Sequence, residues 1–106
     1  MADAFRNQIG ELDFPAEIPT CDPASTDTLV MGTGYKWGYG LVLNTRDVPG
    51  MRRAWSGAWG GLCNTHFWVD RTAGVCASIF SNSLPFVTPE ALALYQDFER
   101  ALYAAL

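Results

Sequence analysis

The 106-residue sequence has one lysine, Lys36, and one histidine, His66, and that scarcity limits the chemistry the chain can perform by itself. A serine nucleophile needs a base placed to take its proton. No serine is followed three residues later by lysine, and Ser56, flanked by Ala54 and Ala58, does not form a Gly-x-Ser-x-Gly elbow. None of Tyr35, Tyr39, Tyr95 and Tyr103 has Ser or Asn two residues on. The chain therefore holds no complete hydrolytic apparatus.

Other shortages exclude other classes. Basic side chains number 7 against 11 acidic ones, the net charge is −4, and no basic cluster exists beyond Arg52-Arg53. A surface tracking nucleic-acid phosphates is not expected. No window approaches the roughly 20 apolar residues of a membrane span. Met1-Ala2-Asp3-Ala4-Phe5-Arg6 lacks the basic start and apolar run of a signal peptide. Cys21, Cys63 and Cys76 are odd in number and widely spaced, which fits reduced packing thiols in the cytoplasm better than a disulfide framework. An export signal on an upstream segment stays open.

No metal or cofactor is expected. On a regular strand Cys63 and His66 point to opposite faces and cannot chelate together. His66 and Asp70 share a face, but about 13 Å of strand separates their α-carbons, too far for a base and its orienter. His66 reads as a sheet residue, and Glu99 with Asp97 and Arg100 as a solvated helix face. Gly32-Thr33-Gly34-Tyr35-Lys36-Trp37-Gly38 has neither the spacing nor the strand-to-helix transition of a phosphate loop.

What is present suits a globular domain or part of one, with 49% apolar and 13% aromatic residues. The expected class is α+β: an antiparallel sheet of three to five strands packed by a C-terminal helix. Residues 1–10 read as the end of a helix stopped at Gly10, and 11–34, with Pro15, Pro19 and Pro23, as a long loop. Residues 35–83 hold the sheet. Lys36 to Asn44 reads as one strand, Trp59 to Asp70 as a glycine-opened strand, and Val75 to Phe80 as its partner across a turn at Arg71-Gly74. Thr88-Pro89-Glu90 is a helix start, with Thr as N-cap and Pro in the first turn. The helix over 88–106 shows an apolar stripe of Leu94, Phe98, Ala101, Leu102 and Ala105. It covers one sheet face, and nothing obvious covers the other.

The block Trp59-Gly60-Gly61, Asn64-Thr65 and Phe67-Trp68-Val69-Asp70 resembles the third conserved element of the serine β-lactamase and penicillin-binding-protein superfamily. It is most similar to the class C-like branch that includes family VIII esterases. The flanking Gly-rich strand Trp37-Gly38-Tyr39-Gly40-Leu41, the segment ending Asn7-Gln8-Ile9-Gly10 and the terminal helix are similar too. The resemblance covers nearly the whole chain, the loop excepted, but only the C-terminal part of the family's domain. It implies that Trp59, Gly60 and Gly61 line a substrate cleft and that the backbone N–H of Leu62 is an oxyanion-hole donor. Glycine suits a strand edge that must approach a developing oxyanion. A Gly pair that only relieves sheet crowding is the alternative.

The family's Ser-x-x-Lys and Tyr-x-Asn or Tyr-x-Ser are missing here, and Trp59 stands where β-lactamases carry lysine. The expectation is a hydrolase fragment acting on a small acyl or ester substrate only in the complete domain. Its partner would be the missing N-terminal portion or a second copy. The alternative is a binding module that uses an uncovered aromatic sheet face.

Overall fold

The computed structural model describes residues 1–106. Its strands are β1 (Glu17–Ile18), β2 (Leu29–Val30), β3 (Tyr35–Trp37), β4 (Val42–Asn44), β5 (Gly57–Gly61), β6 (Thr65–Asp70) and β7 (Val75–Ile79), followed by one helix, α1 (Pro89–Ala104). β1 and β2 form a small ribbon. The other five strands make an antiparallel sheet in the order β3-β4-β5-β6-β7, each strand beside its neighbour in sequence. This is the α+β architecture expected from the sequence.

Register places the core. Val42 opposes Ala58, Ala58 opposes Trp68, and Trp68 opposes Ala77, so one row of side chains crosses four strands on one face. Val42, Ala58 and Trp68 are buried there, under Tyr95, Leu102 and Tyr103 of α1. Trp68 is fully buried, which contributes roughly 4–6 kcal/mol of transfer free energy. The helix begins as expected, with the Thr88 hydroxyl accepting from the Ala91 N–H at 3.3 Å and Pro89 in the first turn.

The helix is rotated from its expected stripe. Leu94 and Phe98 are exposed, whereas Glu99 is fully buried beside the half-buried Leu92, Tyr95, Leu102 and Tyr103. Glu99 is thus not on a solvated face. Arg52 explains the rotation: its Nε donates to Glu99 Oε1 at 2.8 Å, its backbone N–H donates to the same oxygen at 3.1 Å, and a second guanidinium nitrogen pairs with Oε2. A paired, hydrogen-bonded carboxylate can occupy a position that polarity alone assigns to solvent.

Lys36 to Asn44 is not one strand. It reverses through Gly38–Leu41, where the Gly38 N–H donates to Leu41 O at 2.8 Å and Gly40 has a φ of +73°. Gly38 is required for a second reason: a Cβ there would lie 1.9 Å from Ala4 O. The N-terminus is correspondingly not a helix end but a single 3-10 turn, Ala2–Phe5, followed by a bond from the Gln8 N–H to Trp37 O at 2.8 Å. Phe5 is buried against Gly57, where a Cβ would meet its ring at 3.0 Å, and the Arg71 guanidinium sits 5.2 Å over that ring. The second sheet face is therefore covered in part, by Phe5 and Leu41.

Residues 11–34 are more ordered than a plain loop. Beyond the ribbon, Thr20 Oγ1 donates to Thr26 O at 2.7 Å, and Asp27 N–H donates to Phe86 O at 2.8 Å, tying this segment to the stretch before α1. Cys21 and Cys76 are exposed rather than packed, and only Cys63 is partly buried. No helix is long and apolar enough to cross a membrane.

Candidate functional site

The run Trp59 to Asp70, read from sequence as one strand, folds into a corner. β5 ends at Gly61, a 3-10 turn spans Leu62–Asn64, and β6 returns with Gly61 opposite Thr65, Gly60 opposite His66 and Trp59 opposite Phe67. The reversal uses two non-glycine residues in the left-handed region, Cys63 at φ 67° and Asn64 at φ 58°. Asn64 is buried and holds the turn from a distance. Its Nδ2 donates to Ser83 O at 3.0 Å and Pro85 O at 2.9 Å, and its Oδ1 accepts from the Val87 N–H at 2.8 Å. Leu62 therefore lies at the start of a turn, not within a strand, with its side chain exposed.

β4 pairs with β5 only as far as Val42 opposite Ala58. From Trp59 to Gly61 the outer edge of β5 has no strand beside it. The two glycines there differ. A Cβ on Gly60 would lie 2.6 Å from His66 Nδ1, while a Cβ on Gly61 would meet nothing within 4 Å. Packing inside the chain explains Gly60 and leaves Gly61 unexplained.

Three rings flank this free edge. Phe14 stacks on Trp37 with centroids 5.5 Å apart and planes at 14°, and Trp59 meets Trp37 edge-on at 4.9 Å and Phe14 at 6.2 Å. Trp59 remains 40% exposed. Phe14 sits in a proline-containing stretch without periodicity, so nothing in the sequence signals its place here. Asn64 carries its anchoring role through partners about twenty residues away and was equally hidden.

The polar groups lie elsewhere, under α1. Arg52 also donates to the Tyr95 hydroxyl at 2.8 Å. Burial alone would lower the Arg52 guanidinium, but its bond to Glu99 and the neighbouring Tyr95 outweigh that and hold it above its ordinary value. His66 is stacked between Tyr95 at 4.5 Å and Phe86 at 5.5 Å, with Nε2 buried and unpartnered. Burial, then the Arg52 charge, pushes its imidazole below the ordinary value, so the ring is held neutral. Asp70 accepts from the N–H groups of Arg53 and Ala73 and from the Tyr103 hydroxyl, at 2.8, 2.9 and 2.8 Å. Burial would raise that carboxyl, but these donors prevail and keep it below the usual carboxylate range. A cavity of about 330 Å³ opens between this cluster, the β1–β2 ribbon and the strand carrying Trp59 and Gly60.

None of these groups forms a nucleophile–base pair. Ser56 is buried and donates its hydroxyl to Arg53 O at 2.7 Å. The Lys36 ammonium is held by Gly10 O at 3.1 Å, Leu12 O at 2.6 Å and Asp13 Oδ1 at 2.9 Å. No three His, Cys, Asp or Glu side chains converge as a metal site. The geometry offers an unpaired strand edge beside aromatic rings.

No protein-family model matches the chain, and no curated protein does. Solved structures do. The LovD9 mutant of simvastatin synthase from Aspergillus terreus superposes with a TM-score of 0.69 at 29% identity, over 73% of this chain and 20% of that one. The LovD6 mutant gives 0.67 at 30% identity, over 71% and 19%. The unliganded A. terreus LovD gives 0.63 at 30%, over 67% and 19%. The chain carries part of the β-lactamase-like fold. It spans about a fifth of the length of the chains it matches.

Proposed function

We propose that this chain forms one wall of the acyl-transfer cleft of a β-lactamase-like serine hydrolase, of the class C-like, family VIII esterase type. Trp59, Gly60 and Gly61 line the substrate, and the Leu62 N–H donates to the oxyanion of the tetrahedral intermediate. The nucleophilic serine and its base come from a polypeptide portion outside these 106 residues, so the chain alone is inactive. The observation that carries the reading is the unpaired outer edge of β5, ending in a glycine with open space where a side chain would stand. Such an edge lets a substrate carbonyl come within hydrogen-bonding distance of main-chain donors.

A chimera in which this chain replaces the matching segment of LovD tests it. The chimera should hydrolyse p-nitrophenyl acetate, and Leu62→Pro, which removes the N–H, should slow it about 10²–10³-fold, the value of one oxyanion donor. The chain alone should neither turn over the ester nor react with a serine-directed fluorophosphonate. Labelling of the chain alone, or a folded but inactive chimera, would sink the reading. In the second case an interaction module takes its place. Phe80 and Leu94, 81% and 62% exposed, would then be contact residues for a second copy or another protein.

A further inference from the structure

We propose that the cavity between α1, the β1–β2 ribbon and the strand carrying Trp59 and Gly60 binds a small, uncharged, mostly apolar molecule with one hydroxyl, an alcohol or a phenol, held by a hydrogen bond to the His66 imidazole. The inference stands apart from the reading of the β5 edge as a cleft wall.

The wall selects the apolar body. The cavity measures about 330 Å³, within the roughly 300–1,000 Å³ of small-molecule sites, and Leu29, Met31, Val48, Met51, Phe86 and Leu92 form much of its lining. Water in such a space finds few partners. An apolar molecule there exchanges hydrated surface for dry contact. Main-chain bonds fix the ribbon side of the wall: the Met31 N–H donates to Ala16 O and the Asp27 N–H to Phe86 O, both at 2.8 Å. The space therefore exists before a ligand enters it.

His66 selects the hydroxyl. Tyr95 and Phe86 cover the two faces of its ring, so it meets the cavity by its edge, which carries both nitrogens. The residue is only 6% exposed, and its Nε2 is buried without a partner. Buried polar groups are rarely left so, because an unmade hydrogen bond costs the full desolvation of the group. A neutral imidazole has one donor and one acceptor nitrogen, and a hydroxyl can accept from the one or donate to the other. A hydrocarbon offers neither.

The charged groups on the wall disfavour an ion. Arg52 and Glu99 are paired with each other, and Arg52 also donates to the Tyr95 hydroxyl. The exposed Arg100 is bound to Asp97 at 3.0 Å and to Gln96 at 3.4 Å. A carboxylate would lose its hydration beside Glu99 and find no unpaired cation in exchange, and an ammonium would meet the Arg52 charge.

The test uses the 106-residue chain at neutral pH, where the lone histidine makes the imidazole nitrogen resonances unambiguous by NMR. 4-Ethylphenol should bind saturably and move those resonances together with the methyl signals of Leu29 and Met51. Ethylbenzene, without the hydroxyl, should bind about five- to tenfold more weakly, the worth of one hydrogen bond. 4-Ethylbenzoate should bind at least about tenfold more weakly than the phenol. His66→Phe keeps the stack and removes both nitrogens, so it should bind the phenol and the hydrocarbon equally. The three compounds on the unchanged chain decide the matter even where that variant does not fold. In a folded LovD chimera the same preference, lost with His66→Phe, should persist. Unmoved imidazole resonances, ethylbenzene or 4-ethylbenzoate binding as tightly as the phenol, or a preference that survives in His66→Phe would each overturn the proposal. Absence of binding in the folded chimera would overturn it too, because the rest of the domain would then fill the cavity. Binding is read without ester turnover, so this inference and the cleft reading can each fail alone.

Discussion

The two sides of β5 and β6 differ in how completely their groups are used. Beneath α1, Arg52, Glu99, Tyr95, Asp70 and Tyr103 exchange hydrogen bonds so fully that little donor or acceptor capacity is left over. At the Trp59–Leu62 end the main chain lacks a partner on one side and the side chains stay exposed. A region whose polar groups satisfy one another is a scaffold. A region whose edge is unpaired, held open by a scaffold, is where something else docks. The titratable side chains, often the first guide to an active site, here belong to the scaffold, His66 with its buried, unpartnered Nε2 excepted.

The largest effect should come from breaking the scaffold. Glu99→Ala leaves the Arg52 guanidinium, only 12% exposed, without its carboxylate. The loss should be about 3–5 kcal/mol, the usual cost of orphaning a buried charge. Urea unfolding followed by far-UV circular dichroism would measure it. The double variant Arg52→Met, Glu99→Leu should recover most of that loss, because a well-packed apolar pair often replaces a buried ion pair without penalty. A Glu99→Ala variant as stable as the parent would mean that the pair is solvated and that the contrast between the two regions is wrong.

An intermediate effect should follow at the corner joining the regions. Asn64→Ala removes the side-chain hydrogen bonds to Ser83, Pro85 and Val87, leaves the Val87 N–H unsatisfied and puts alanine at φ 58°. The expected loss is about 2–3 kcal/mol, and amide exchange should quicken over 83–87 before it does in β6. Uniform exchange along the chain would show that Asn64 does not govern this corner.

These residues also show where the sequence was readable. The Arg71–Gly74 turn, the Thr88-Pro89-Glu90 helix start and the alternation of β6 and β7 are local signals, and the structure follows them. The corner at Leu62–Asn64 is not local. Its stability comes from carbonyls at Ser83 and Pro85, so nothing between Trp59 and Asp70 announces a reversal, and the run reads as one strand. Glu99 hides for the same reason, since its partner is 47 positions away. Phe14 lacks any periodic context. The strand at the Trp59-Gly60-Gly61 triplet was legible from the local pattern, its expected cleft role only from a likeness to a known family, and neither reveals the unpaired edge beside it.

The smallest effect on stability is the sharpest probe of the comparison, because it sets two adjacent glycines against each other. Gly60 lies under His66, and a methyl group there must displace the imaginary 2.6 Å contact with Nδ1 while Thr65 O stands 3.2 Å away. The imidazole cannot yield easily, stacked as it is between Phe86 and Tyr95. Gly60→Ala should therefore cost about 1–3 kcal/mol by overpacking. Gly61 has extended backbone, φ −141° and ψ 173°, which alanine adopts freely, and open space at the Cβ position. Gly61→Ala should leave the unfolding midpoint within about 0.5 kcal/mol of the parent. If the free edge faces a substrate, the same silent methyl group should slow ester hydrolysis by the LovD chimera about 10–100-fold, since a small misplacement of the reacting carbonyl is enough. Equal destabilisation by both substitutions would mean that Gly61 is a packing glycine like its neighbour. A fully active Gly61→Ala chimera would move the substrate away from this edge.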